Sequence, residues 1–128
     1  MLLTVMKSKI HRATVTEADL NYEGSISLDP QLIKKAGFHV NEKVDIYDCN
    51  NGARFSTYVI VGKKGQVCLN GAAARMVQKG DIVIIVAYGI VDEVVAAKHE
   101  PVVVFVDEKN RIKETRLEDS KFNRKKKY

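Results

Sequence analysis

The segment Tyr22-Glu23-Gly24-Ser25 places a glycine, which has no Cβ, directly before a hydroxyl nucleophile. If a fold strains this peptide, the Ser25 hydroxyl can attack the Gly24 carbonyl and move the acyl group from nitrogen to oxygen, creating an ester. Loss of the Ser25 α-proton then eliminates the Gly24 carboxylate. The dehydroalanine left behind hydrolyses to a pyruvoyl group and releases ammonia. A relaxed, solvated Gly-Ser turn does none of this, so the pair acquires meaning only from the residues around it.

The elements that must hold such a site read mostly as strands. Runs rich in β-branched and aromatic residues occupy 2–6, 9–15, 44–49, 55–61, 66–69, 81–87 and 102–106, separated by glycine and asparagine turns. That is the pattern of an all-β or barrel-like domain. Asn50-Asn51-Gly52 tolerates positive φ and predicts a hairpin between two of these runs. One helix has both ends marked, with Asp29 as N-cap, Pro30 at its first position and Gly37 as the stop after Ala36. A second is expected over 72–79, ending at Gly80, with Asn70 as its cap.

The chain has 128 residues, enough for one domain with its own core and too few for separate catalytic and cofactor domains. Its formal charge of +5 raises the possibility of a nucleic-acid partner, but the charge is not spread evenly. Residues 109–128 hold nine Lys or Arg against three Asp or Glu, whereas residues 1–108 hold twelve against thirteen. The body is nearly neutral, and residues 107–128 read as a basic, flexible tail. A nucleic-acid-binding barrel that uses this tail is the alternative, with affinity that falls steeply with salt. The longest apolar run, 82–87, is too short for a bilayer, and Lys7 and Lys9 interrupt any signal-peptide core. A cytoplasmic protein without a membrane partner is expected. Cys49 and Cys68 fall in expected strands without metal-ligand spacing, so reduced core thiols and no metal are expected.

Five segments, in order, carry a resemblance: residues 9–16 (KIHRATVT), 22–25 (YEGS), 51–58 (NGARFSTY), 69–74 (LNGAAA) and 80–85 (GDIVII). Together they resemble the pyruvoyl-dependent aspartate decarboxylases, with coverage to about residue 106. The resemblance implies a six-stranded double-psi β-barrel with short helices, cut between Gly24 and Ser25 into a β chain, 1–24, and an α chain, 25–128. It implies that Ser25 becomes the covalent pyruvoyl cofactor and forms a Schiff base with L-aspartate, its carbonyl acting as electron sink. Release of CO2 and β-alanine, the pantothenate precursor, would follow. Tyr58 would return a proton to Cα, Thr57 would contact the Gly24 carbonyl, and the active form would be a homotetramer with sites between subunits.

A substrate with two carboxylates needs cations. Arg54 offers a planar fork, and Lys9 a second charge on the same strand face as His11. Gly71, Ala72 and Ala73 open the second helix, with free N–H groups and little side-chain bulk for a carboxylate. Tyr22, His11 and Asn70 are assigned supporting roles. One difficulty is geometric: Thr57 and Tyr58 are adjacent on a strand and so face opposite sides, unless the strand is bulged or the site lies between subunits. A barrel that keeps this fold and never cleaves is the third reading.

Overall fold

The computed structural model describes residues 1–118. Its strands are β1 (Leu2–Thr14), β2 (Glu17–Asp19), β3 (Ser25–Leu28), β4 (Lys43–Asp48), β5 (Arg54–Val61), β6 (Val67–Asn70), β7 (Ile82–Asp92), β8 (Val102–Val106) and β9 (Ile112–Leu117). Between them lie α1 (Pro30–Ala36), a 3-10 helix (Gly71–Met76) and α2 (Glu93–Ala96). The fold is mainly β, as expected, but with nine strands among the described residues in place of six.

The strand order is β2-β6-β3-β5-β4-β7-β1-β8-β9. β1 and β2 stand six strand spacings apart in this order, about 29 Å in a flat sheet. Yet only Val15 and Thr16 join them, a reach of about 10 Å. The sheet must therefore roll up. The seam is made by Val15 N donating to Asp81 O at 2.9 Å, Gly80 N to Val15 O at 2.8 Å and Thr16 N to Val67 O at 2.8 Å. Inside lie the fully buried Ile10, Ile26, Ile46, Val59, Leu69 and Ile85, with Leu32 and Ile33 of α1 in the same cluster. Each such side chain contributes roughly 1.5–3 kcal/mol by leaving water.

Local signals set the short elements. Asp29 Oδ1 accepts Gln31 N at 2.8 Å, and Gly37 closes α1 at φ 71°. The β4–β5 hairpin turns where expected, with Gly52 at φ 77° and Asp48 Oδ1 accepting Asn50 N and Asn51 N. The second helix is shorter than 72–79: it is a single 3-10 stretch, and Asn70 does not cap it. The two runs 2–6 and 9–15 form one long strand with bulges between Met6 and Ser8 and between Ile10 and Ala13. Cys49 lies just past β4 and is exposed, contrary to its expected core position; both cysteines are free thiols.

The expected tail does not begin at residue 107. Residues 107–111 turn through Asn110, whose side chain bonds Thr14 N, Thr14 O and Gly65 O, and β9 pairs antiparallel with β8. β9 is a charged outer strand, Lys113, Glu114 and Arg116 included, which discourages further pairing at that edge. The basic run beginning at Lys121 lies outside the described residues.

Candidate active site

Ser25 opens β3 opposite Asn70 of β6, and Ser27 lies opposite Cys68. Strand alternation sends Ile26 and Leu28 into the core and turns Ser25 and Ser27 the other way, onto a face that other segments cover. Ser25 is only 1% exposed. Its hydroxyl donates to the Glu23 carbonyl at 2.9 Å and accepts Asn70 Nδ2 at 2.9 Å. The same Nδ2 reaches Ser27 Oγ at 3.0 Å, and Asn70 Oδ1 accepts from the Cys68 thiol at 3.1 Å. Burial, then the charges of Glu17 and Asp19, push the Cys68 thiol above its ordinary range, so it remains a protonated donor at neutral pH.

Gly71 follows directly at φ 64°. A Cβ there would stand 2.7 Å from both Cα and N of Gly24, and 3.1 Å from the Tyr22 carbonyl oxygen. The turn before the 3-10 helix thus presses against the residue preceding Ser25. Ala72 beyond it is exposed, and Ala73 packs partly against the core. The Tyr22 side chain itself is exposed.

β5 runs parallel to β3 with Val59 beside Ile26. Continued back from this pair, the register points Tyr58 toward Ser25 and Thr57 toward Gly24, which lies just outside β3. The β4–β5 register is unbroken from Lys43–Tyr58 to Tyr47–Arg54, so no bulge turns the two side chains to one face. Thr57 follows Val59 toward the core side and is half-buried, while Tyr58 shares the outward face with Arg54, Ser56 and Ser25.

The cations do not converge on Ser25 within one chain. Lys9 pairs with Val86 on β7, which pairs with Asp45 on β4, so three strands stand between β1 and β3 along the sheet, and Lys9 makes no hydrogen bond to Ser25. Arg54 lies four residues back from Tyr58, with its guanidinium 3.9 Å over the Tyr47 ring. Tyr47 and Tyr88 share a 2.6 Å hydroxyl hydrogen bond, and burial with that bond pushes the Tyr47 phenol up to about 12. His11 is on the Lys9 side of β1 but packs edge-on against Phe105, 5.4 Å between ring centres, beside a cleft of about 290 Å³. Burial, then Lys9, Arg12 and Arg116, lower its pKa, and Nδ1 has no hydrogen-bond partner. His11 is therefore neutral at pH 7 and does not touch Ser25.

The sequence singles out no role for Ser27 and marks Cys68 only as a reduced core thiol. Each lies two residues from a residue singled out, but period two applies only once 25–28 and 67–70 are known to be strands, and the sequence marks no strand at 25–28 and reads Asn70 as a helix cap. Among the described residues no group of three or more His, Cys, Asp or Glu is placed to hold a metal, and no helix is long and apolar enough to cross a membrane.

The sequence that forms this rolled β-sheet has close counterparts. The family model described as aspartate decarboxylase matches residues 1–113. The aspartate 1-decarboxylase of Bdellovibrio bacteriovorus is 64% identical over 124 residues, covering 97% of this chain and all of that protein. Those of Clostridium beijerinckii and Neisseria meningitidis are each 60% identical over 116 residues, covering 89% of this chain and 94% and 91% of theirs. The chain belongs to the aspartate decarboxylase family.

Proposed function

We propose that this protein decarboxylates L-aspartate to β-alanine and CO2 with a pyruvoyl group made from its own Ser25, and so supplies pantothenate synthesis in the cytoplasm. The observation that carries the reading is the packing of Gly71 against Gly24, beside a Ser25 hydroxyl that is buried and held from both sides.

Ser25 is buried while the Gly24 before it is exposed, so the hydroxyl is held by protein partners and not by solvent. In the first step the Ser25 Oγ–Gly24 C bond forms, the Gly24 C–Ser25 N bond breaks, and the hydroxyl proton passes to that nitrogen. The Asn70 N–H faces the oxygen as it gains negative character, which favours the attacking form. Thr57, which the β3–β5 register points toward Gly24, is suited to hold the carbonyl oxygen. In the second step the Ser25 α-proton leaves, the Cβ–Oγ bond breaks, and the Gly24 carboxylate departs. Water then replaces the nitrogen, which leaves as ammonia.

The residues around Ser25 fit a small planar keto-amide: Gly71 and Ala72 add no bulk, and Asn70 supplies a donor. Once formed, the pyruvoyl carbonyl would link to the substrate amine and accept the electrons freed by loss of CO2. Tyr58, on the Ser25 side of β5, is positioned to return a proton to the substrate, and Arg54 and Lys9 to hold carboxylates. Because Lys9 lies on β1, which β7, β4 and β5 separate from β3 in the strand order, its contribution fits a homotetramer in which one subunit's face completes its neighbour's site.

The test is mass spectrometry of the purified protein with a denaturing gel. Two fragments are expected, 1–24 and 25–128, the larger lacking a free amino terminus and lighter by one ammonia than a serine-ended piece. Ser25→Ala should give neither fragments nor CO2. Aspartate turnover by an uncut chain would refute the reading.

A further inference from the structure

The Asn70 carboxamide has two chemically different ends, and the one facing Ser25 decides what the residue does there. Rotated by half a turn, it would present a carbonyl oxygen to Ser25 and Ser27 in place of an N–H. Two neighbours select the observed orientation. The Ser25 hydroxyl proton is committed to the Glu23 carbonyl, so the serine oxygen is left as an acceptor. On the other side the Cys68 S–H supplies a donor to Oδ1 at 3.1 Å, short for a sulfur contact. Cys68, Asn70, Ser25 and Ser27 form one chain of hydrogen bonds across paired β3 and β6, and all four are buried.

We propose that Cys68 is a positioning residue for self-cleavage, its thiol proton holding Asn70 so that an N–H is aimed at the Ser25 oxygen. The inference rests on the cleavage proposed above. When the Ser25 Oγ–Gly24 C bond forms and the C–N bond breaks, the oxygen sheds its proton toward the Ser25 nitrogen, and an N–H facing it favours that change. A carbonyl oxygen in the same place opposes it. Burial holds Cys68 in the protonated form that can donate. At 3% exposure the residue is placed for donation within the core and not for reaction with solutes.

The experiment times the loss of intact full-length chain on denaturing gels for wild type, Cys68→Ala, Cys68→Val and Cys68→Ser. Alanine removes the donor, valine removes it while keeping the volume, and serine restores it. Cleavage should slow about ten-fold in the first two, the weight of one ordinary hydrogen bond, and return to near wild type in the third. Equal rates in all four proteins, or equal slowing in all three variants, would overturn the inference. Hydrogen exchange of the Asn70 side-chain amide by NMR is the second readout, expected slow in wild type and Cys68→Ser and at least several-fold faster in Cys68→Ala. If wild type never cleaves, the self-processing reading fails while exchange still decides the role of Cys68. Equal exchange in every variant removes that role.

Discussion

A side chain at Gly71 would collide with Gly24, 47 positions earlier in the chain, whereas a Cβ at Gly24 would meet nothing within 4 Å. The two glycines touch, but only one is sterically required. Gly71→Ala must take φ 64° and displace the backbone at Gly24, a cost of roughly 2–5 kcal/mol from left-handed strain and overpacking. Thermal melting should drop accordingly, and the cut before Ser25 should be slowed or lost. Gly24→Ala should melt within about 0.5 kcal/mol of wild type. A Gly71→Ala protein with unchanged melting would contradict the contact.

The β3–β5 register points Tyr58 toward Ser25, but Tyr58 makes none of the hydrogen bonds that hold the Ser25 hydroxyl. Tyr58→Phe should therefore leave the two-fragment pattern intact while lowering kcat about 10²-fold or more, the usual weight of a lost general acid. Comparison of gel bands with CO2 release from one preparation checks both halves. Wild-type turnover in the phenylalanine variant would remove Tyr58 from proton return.

Arg54 rests on the Tyr47 ring, an arrangement that suits a flat guanidinium and not an ammonium. Arg54→Lys should raise KM for aspartate about ten-fold or more with a smaller effect on kcat, because a point charge replaces a two-pronged carboxylate clamp. Steady-state kinetics read this directly. Equal KM values would place the substrate carboxylates elsewhere.

Two groups give the fold opposing pH slopes. His11 is lowered from 6.5, chiefly by burial, so the unfolded chain binds the proton first. The His11 contribution is complete above about pH 6.5 and is lost as the pH falls through the lowered folded value. Asp48 is raised from 3.8, chiefly by burial and then by its neighbour Asp81, so here the folded state holds the proton longer. That contribution is present at low pH and is lost as pH rises above 3.8 through the raised value. Asp48 Oδ2 is buried without a donor. Asp48→Asn keeps the Oδ1 acceptor for the hairpin amides and should stabilise the protein near neutral pH by on the order of 1 kcal/mol, with little change in acid. Melting curves at pH 4 and pH 8 test the sign.

Features settled by neighbours in the chain were legible in the sequence. Asp29, Pro30 and Gly37 frame α1 as read, because capping depends on residues a few positions apart. Asn50 to Gly52 turn the hairpin for the same reason. What escaped depends on pairing across the barrel. Glu17–Asp19 has poor strand propensity and is extended because β6 pairs with it, and Ile112–Leu117 is too charged to read as a strand until β8 lies alongside. Asn70 read as a helix cap because that is its usual local use; 45 residues away, Ser25 claims its amide instead. Alternation correctly set Lys9 and His11 on one side of β1, but it carries no information on distance from Ser25. For Thr57 and Tyr58 it set opposite faces, and the unbroken β4–β5 register agrees; what alternation lacked is the parallel pairing of β5 with β3, which brings this strand alongside the one that Ser25 opens.

The seam near Val15 has a further consequence for a chain cut after Gly24. The short piece would keep β1 threaded between β7 and β8, and β2 bonded to β6, one on each side of the seam. It could leave only if the barrel came undone, so it would act as a bolt and not as a detachable leader. Once heat or denaturant freed it, reassembly would become a two-body encounter, and unfolding of the mature enzyme should be effectively one-way even though folding of its uncut precursor is not.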